Sequence, residues 1–132
     1  MKTNPPDVRL TCISDAEPAI KKHMDKIGLE AGRPQLFTEV KEACLNKRAF
    51  LFMAPGTEGF FVLKPLPEKA IKVWVAYCQQ PNAVLNYQPV IINLCKKIGG
   101  EAMEFETALP AMERFMPRHG WQKAYTVWRQ KL

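Results

Sequence analysis

The stretch Ala111-Met-Glu-Arg-Phe-Met-Pro-Arg-His119-Gly120-Trp121-Gln-Lys-Ala-Tyr125-Thr-Val-Trp128-Arg-Gln-Lys-Leu132 decides the fold. Its first half reads as a short amphipathic helix, and Gly120 is a stop signal. Tyr125, Val127 and Trp128 then mark a closing strand. Just upstream, Glu101-Ala-Met-Glu-Phe-Glu-Thr107 alternates polar and apolar residues, the pattern of another strand. A strand, a short helix closed by His-Gly-Trp and a last long strand make an uncommon ending.

Working back from it, Val90, Ile91, Leu94, Cys95 and Ile98 form the apolar face of a helix, with Lys96-Lys97 and Gly99-Gly100 marking its end. Residues 78–88 admit two starts for that helix. It opens at Asn82, or only near Gln88-Pro89, because proline suits a first helical position and kinks a helix already under way. Ala70–Tyr77 is the most hydrophobic strand and is expected centrally in the sheet. Ala49–Ala54 and Gly59–Lys64 flank Pro55-Gly56-Thr57-Glu58, which predicts a hairpin.

Nearer the start, Val8–Ile13 suits a first strand. Ser14 and Asp15 are N-cap candidates for a helix with Pro18 in its first turn. Ile20, Met24 and Ile27 follow at helical spacing, and Gly28 is a plausible stop. Leu36, Phe37, Val40, Ala43, Cys44 and Leu45 trace the buried stripe of a second helix. Residues 1–7 read as a loose arm and residues 8–132 as one domain. The class is α/β (α+β): a mixed, mostly antiparallel sheet of about six strands with helices on both faces.

A chain of 132 residues supports one domain with a real core. No apolar run approaches the ~20 residues that span a bilayer, and the start lacks a signal-peptide core, which predicts a cytoplasmic protein without membrane partners. Cys12, Cys44, Cys78 and Cys95 match no metal or redox spacing. Cys12 and Cys95, in apolar contexts, read as buried free thiols of a reducing compartment. With His23 and His119 the only histidines, a structural zinc site is not expected. The net charge of +6 is concentrated late: residues 111–132 carry five basic groups against Glu113 alone. That end suits a phosphate-bearing ligand, nucleic acid or a solvated face, but no Lys/Arg run or recognition motif supports nucleic acid.

The element order and the His119-Gly120-Trp121 ending resemble the GNAT acetyltransferase superfamily over residues 8–132. Glu101–Thr107 looks like the strand that splays from its neighbour, Leu109–His119 like the following helix, Gly120-Trp121 like the family's Gly-Phe pair, and Ala124–Gln130 like the closing strand. The chain also resembles the small, divergent GNAT-like proteins of tailed phages and prophages. The first resemblance implies an acetyl-coenzyme A ligand, its pantetheine amides paired with the backbone of Val75, Ala76 and Tyr77. It further implies a pyrophosphate held by the following loop and helix N-terminus, around Gln79, Gln80, Asn82 and Ala83. The usual loop reads Q/R-x-x-G-x-G/A, whereas Gln79-Gln80-Pro81-Asn82-Ala83-Val84 has no glycine. Met116 stands where the family often has the tyrosine that reprotonates the leaving thiolate, and a thioether donates no proton. Tyr77, Cys78, Tyr87 or a water could substitute, and Glu104 and Glu106 are the general-base candidates.

Each assignment has a plainer counterpart. Alternating Glu104 and Glu106 also fit the solvated side of a strand. Trp74, Tyr77, Phe60 and Phe61 line an acceptor pocket or fill a core. His119 suits a helix C-terminus, and His23, between Lys22 and Met24, reads as exposed. The first reading is therefore an acetyl-coenzyme A-dependent N-acetyltransferase with an unspecified amine acceptor. The second is a non-catalytic phage or prophage interaction protein, virion-associated and contacting a protein partner. Exposed strand edges are compatible with a homodimer.

Overall fold

The computed structural model describes residues 8–55, 59–78, 83–105, 116–124 and 130–131. Among them, five strands form one sheet in chain order: β1 Arg9–Leu10, β2 Phe50–Met53, β3 Gly59–Pro65, β4 Ala70–Cys78 and β5 Ala102–Phe105. Neighbours are antiparallel except β4 and β5, which run parallel. The expected hairpin is β2–β3, registered from Phe50↔Leu63 to Met53↔Phe60. β3 is the middle strand and carries the longest buried run. β4, expected to be central, lies one place over, between β3 and β5. Residues 125–129 of the closing strand read at 124–130, and 109–115 of the helix read at 109–119, fall outside the described residues. Of that helix, Met116–His119 is a 3₁₀ turn ended by Gly120 at φ +88°.

The sheet is covered on both faces. Helices α1 (Ile13–Glu30) and α2 (Leu36–Leu45) bury Ile13, Ile20, Met24, Phe37 and Val40 against Leu51, Phe60, Val62 and Val75. Helix α3 (Ala83–Lys97) places Ile91, Leu94 and Cys95 against Phe52, Phe61, Leu63, Ile71 and Val73. Strand alternation explains the division: Leu51 and Met53 face the first layer, Phe50 and Phe52 the second. Fully burying such side chains is worth about 1.5–3 kcal/mol each, so these two layers are the main source of stability.

Several local expectations change. The first strand is two residues long because α1 begins at Ile13, where the Cys12 carbonyl accepts from the Asp15 and Ala16 amides. Pro18 consequently lies inside α1 rather than in its first turn. Gly28 does not stop α1, which continues to Glu30. Gly28 is buried where the chain reverses, and its carbonyl accepts from the Arg33 amide at 2.6 Å. A Cβ there would stand 2.5 Å from the Arg33 carbonyl oxygen, so close approach selects glycine. Leu45 leaves the α2 stripe and is 56% exposed. Helix α3 takes the earlier start, opening at Ala83 and running through Pro89.

Cys12 is exposed rather than buried, whereas Cys95 is buried as expected. Burial pushes the Cys44 thiol up to about 11 and raises Cys95 as well. At pH 8 both hold their protons, and the thiolate is the reactive form. An uncharged alkylating agent is therefore expected to label Cys12 about tenfold faster than Cys44 or Cys95. Peptide mass spectrometry over a time course checks this; equal rates at the three sites contradict it.

Candidate functional site

The site is shaped by one irregularity in β4. Val62 pairs with Val75 and Leu63 with Val73, so Trp74 is an extra residue on β4 opposite the Val62/Leu63 step. Such a bulge bends its strand, increases the twist and switches which face later side chains occupy. Before it, Ile71 and Val73 face α3; after it, Val75 and Tyr77 face α1 and α2. The displaced Trp74 packs toward the same side as Val75, and the Lys64 ammonium stands 4.6 Å from its ring centroid. Among the described residues, parallel pairing with β5 ends at Val73↔Phe105, just before the bulge, while β4 runs on to Cys78.

Beside the bulge, on the α3 side, lies a cavity of about 250 Å³. Phe61, Val73 and Ala76 form its floor, Ile91 comes from α3, Met103 and Phe105 from β5, and Trp121 from the segment after Gly120. Trp121 is fixed at both ends of its ring system. Its Nε1–H donates to Gln88 Oε1 at 3.3 Å, and its ring lies 6.3 Å from Phe105, tilted by 60°. Tyr77, Cys78, Tyr87 and Gln88 ring the end nearest the carboxyl terminus of β4. The described lining contains no charged side chain.

A second cavity of about 170 Å³ sits on the opposite face, between α1 and the ends of β2, β3 and β4. His23 stacks on Tyr77 with centroids 4.2 Å apart and 19° between planes, and Phe60 lies 5.7 Å from Tyr77. His23 is thus half-buried, not exposed as its polar neighbours suggested. Among the described residues no hydrogen bond engages its ring nitrogens. Gly59, Phe60 and Tyr77 line both cavities, so this point of the sheet separates two sites by little more than its own thickness.

The residues named from sequence are distributed as follows. Val75 is 3% exposed and committed to the core on the α1/α2 side, which leaves its main chain for any ligand. Ala76 is exposed on the cavity floor, and Tyr77 is half-buried between His23 and Phe60. Glu104 is half-buried opposite Lys72, on the face of β5 away from Met103 and Phe105. Ala83 is the first residue of α3; Gln79, Gln80, Asn82 and Glu106 lie outside the described residues. Phe60, Phe61 and Tyr77 do line cavities, and Trp74 does not. From sequence His23 reads as exposed and Gly59 only as the start of a strand, so neither is named for the site. The available sign for His23 was its position three residues after Ile20, beside the buried stripe of α1.

No protein-family model matches the chain, and no curated protein does. Solved structures do. A ribosomal-protein-alanine N-acetyltransferase from Brucella melitensis biovar Abortus 2308 superposes with a TM-score of 0.68 at 13% identity, over 96% of this chain and 99% of that one. A structure described as a probable acetyltransferase gives 0.71 at 9% identity, over 96% and 98%. An aminoglycoside N-acetyltransferase in complex with CoA gives 0.63 at 12% identity, over 96% and 100%. The chain therefore has the GNAT acetyltransferase fold along almost its whole length.

Gly59 is the test of the site's geometry. A Cβ on it would lie 2.2 Å from the Tyr77 carbonyl oxygen and 2.9 Å from the Cys78 Cα, both backbone atoms with little room to yield. Gly59→Ala is expected to destabilise the fold by about 1–3 kcal/mol. A urea melt reads the loss; an unchanged midpoint contradicts the close approach of β3 and β4.

Proposed function

We propose that the protein transfers an acetyl group from acetyl-coenzyme A to a primary amine. The observation that supports this best is the β4 bulge, with an apolar cleft on its α3 side, in a fold shared with acetyltransferases. The cleft fits the arm of such a donor. Its floor is the small side chain of Ala76, and the main chain of Val75, Ala76 and Tyr77 runs past the last described pairing with β5. The amino end of α3, opening at Ala83, offers unpaired N–H groups and a positive dipole to a pyrophosphate. Gln79, Gln80 and Asn82 complete that cradle in this reading. The missing glycines and Pro81 predict weaker phosphate contacts than a glycine-rich loop makes.

The acceptor amine enters in this reading from the opposite face, where His23, Tyr77 and Phe60 wall the second cavity. Aromatic faces attract an ammonium group, and an imidazole nitrogen accepts a hydrogen bond from it. Transfer forms the C–N bond as the C–S bond breaks. One proton must leave the amine for a base, for which Glu104 and Glu106 are the candidates, and one must reach the departing thiolate, for which the Tyr77 phenol is the candidate. The fold supplies alignment first; oriented reactants account for much of such a rate.

Calorimetry with acetyl-coenzyme A is expected to show saturable heat with one site, and the melting temperature is expected to rise with ligand. No heat and no stabilisation at millimolar ligand overturn the proposal and favour a non-catalytic interaction role. With butylamine as probe acceptor, His23→Ala is expected to raise the amine KM about tenfold and leave the acetyl-coenzyme A KM unchanged. Equal changes in both KM values contradict an acceptor role for His23.

A further inference from the structure

The two cavities adjoin at Gly59, Phe60 and Tyr77, the residues common to both linings. With the donor on one face and the acceptor on the other, the new bond forms beside Tyr77. A general base acts only within hydrogen-bond reach of the proton it takes, directly or through one water. Glu104 is far from that point. It opposes Lys72, five residues before Tyr77 on β4, which at about 3.3 Å per residue is roughly 15 Å along the strand. It lines neither cavity, and Glu106 lies outside the described residues. His23 is in contact: its ring stacks on Tyr77 with centroids 4.2 Å apart, and it lines the second cavity. Stacking uses the faces of the imidazole and leaves its edge, where both nitrogens sit, for other partners. Around it, Met53, Gly59 and Phe60 from β2 and β3 carry no titratable group, and Tyr77 from β4 brings a phenol. Along α1, Lys22 and Lys26 are exposed, and Asp25 is paired with Lys21 at 2.6 Å.

We propose that His23 is the general base of the transfer, taking the proton of the acceptor amine while its ring rests on Tyr77. This rests on the acyl-transfer reading and specifies how that reaction moves its protons. The neutral amine attacks the thioester carbonyl, the C–N bond forms and the C–S bond breaks. Once bonded to carbon the nitrogen is positively charged and far more acidic than a free ammonium, so an imidazole, which changes charge near neutrality, is a sufficient acceptor. The amine proton passes to the neutral imidazole, and the departing thiolate takes the phenol proton of Tyr77. The imidazolium then returns a proton to the phenolate through solvent, which restores both rings. The stack favours the first of these steps, because the charge gained by the imidazole sits over the electron-rich face of the tyrosine.

Steady-state kinetics with acetyl-coenzyme A and butylamine tests the assignment on the intact chain, each variant first checked for native melting. His23→Gln keeps a hydrogen-bonding side chain that takes up no proton near neutrality. It is expected to lower kcat about a hundredfold with the amine KM close to that of the unmodified protein. In His23→Ala, free imidazole is expected to restore rate in proportion to its unprotonated concentration as pH is varied, and to leave the unmodified protein unaffected. A kcat of His23→Gln within about threefold of the unmodified protein overturns the proposal. So does a hundredfold loss that imidazole does not restore, which reduces His23 to a positioning residue, or an equal loss in Glu106→Gln with His23→Gln unimpaired. In each of these cases turnover by the unmodified protein leaves the transferase reading standing. Absence of any butylamine acetylation by the unmodified protein overturns both.

Discussion

The extra residue at Trp74 is the constraint on which the rest of the molecule depends. Were β4 to run through Trp74 as a regular strand, without the bulge, Val75 and Tyr77 would continue the alternation of Ile71 and Val73 and project toward α3. Two large side chains would then occupy the floor of the cleft. With it, they turn to the α1/α2 layer, where Val75 fills the core and Tyr77 meets His23, and the floor is left to Ala76. The bulged conformation at Trp74 thus satisfies a core on one face and leaves a space on the other. Packing and cavity thus change together at one place along β4.

The two faces have different chemistry because the residues brought to each differ in kind. Toward α3 the walls are hydrocarbon and aromatic, tied by Trp121 to both Gln88 and Phe105. Toward α1 a histidine, a tyrosine and a phenylalanine surround a smaller space. Gly59 is what lets them lie back to back, because any side chain there would drive β3 away from the Tyr77 carbonyl. Under the proposed function, a donor and an acceptor on the two sides of so thin a partition would meet at the carboxyl end of β4.

Much of the fold could be read along the chain because periodicity there is dictated by one-sided burial. The stripe of α2 holds from Leu36 to Cys44, while the β2–β3 hairpin shows instead as two continuous apolar runs around a Pro-Gly turn, buried on both faces. What could not be read was set by partners distant in sequence. Gly28 looks like a stop until the Arg33 carbonyl is seen beside it, and Pro18 looks like a first-turn residue until α1 is seen to start at Ile13. The bulge leaves no mark in Ala70–Tyr77 itself, since it exists only as a register between β3 and β4. His23 was obscured for the same reason: its lysine neighbours describe the outer surface of α1, and its own ring is held by Tyr77 across the sheet. The Gly120-Trp121 pair was legible as an ending, though not as the wall it forms with Phe105.

Amide hydrogen exchange along β4, with and without coenzyme A, tests the central claim most directly. If the bulge-made cleft holds the donor, the amides from Val75 to Tyr77 slow on addition of coenzyme A, while those of Phe61 to Leu63, already paired within the sheet, do not change. Unchanged exchange at Val75–Tyr77 under saturating ligand, or protection confined to another part of the chain, contradicts it.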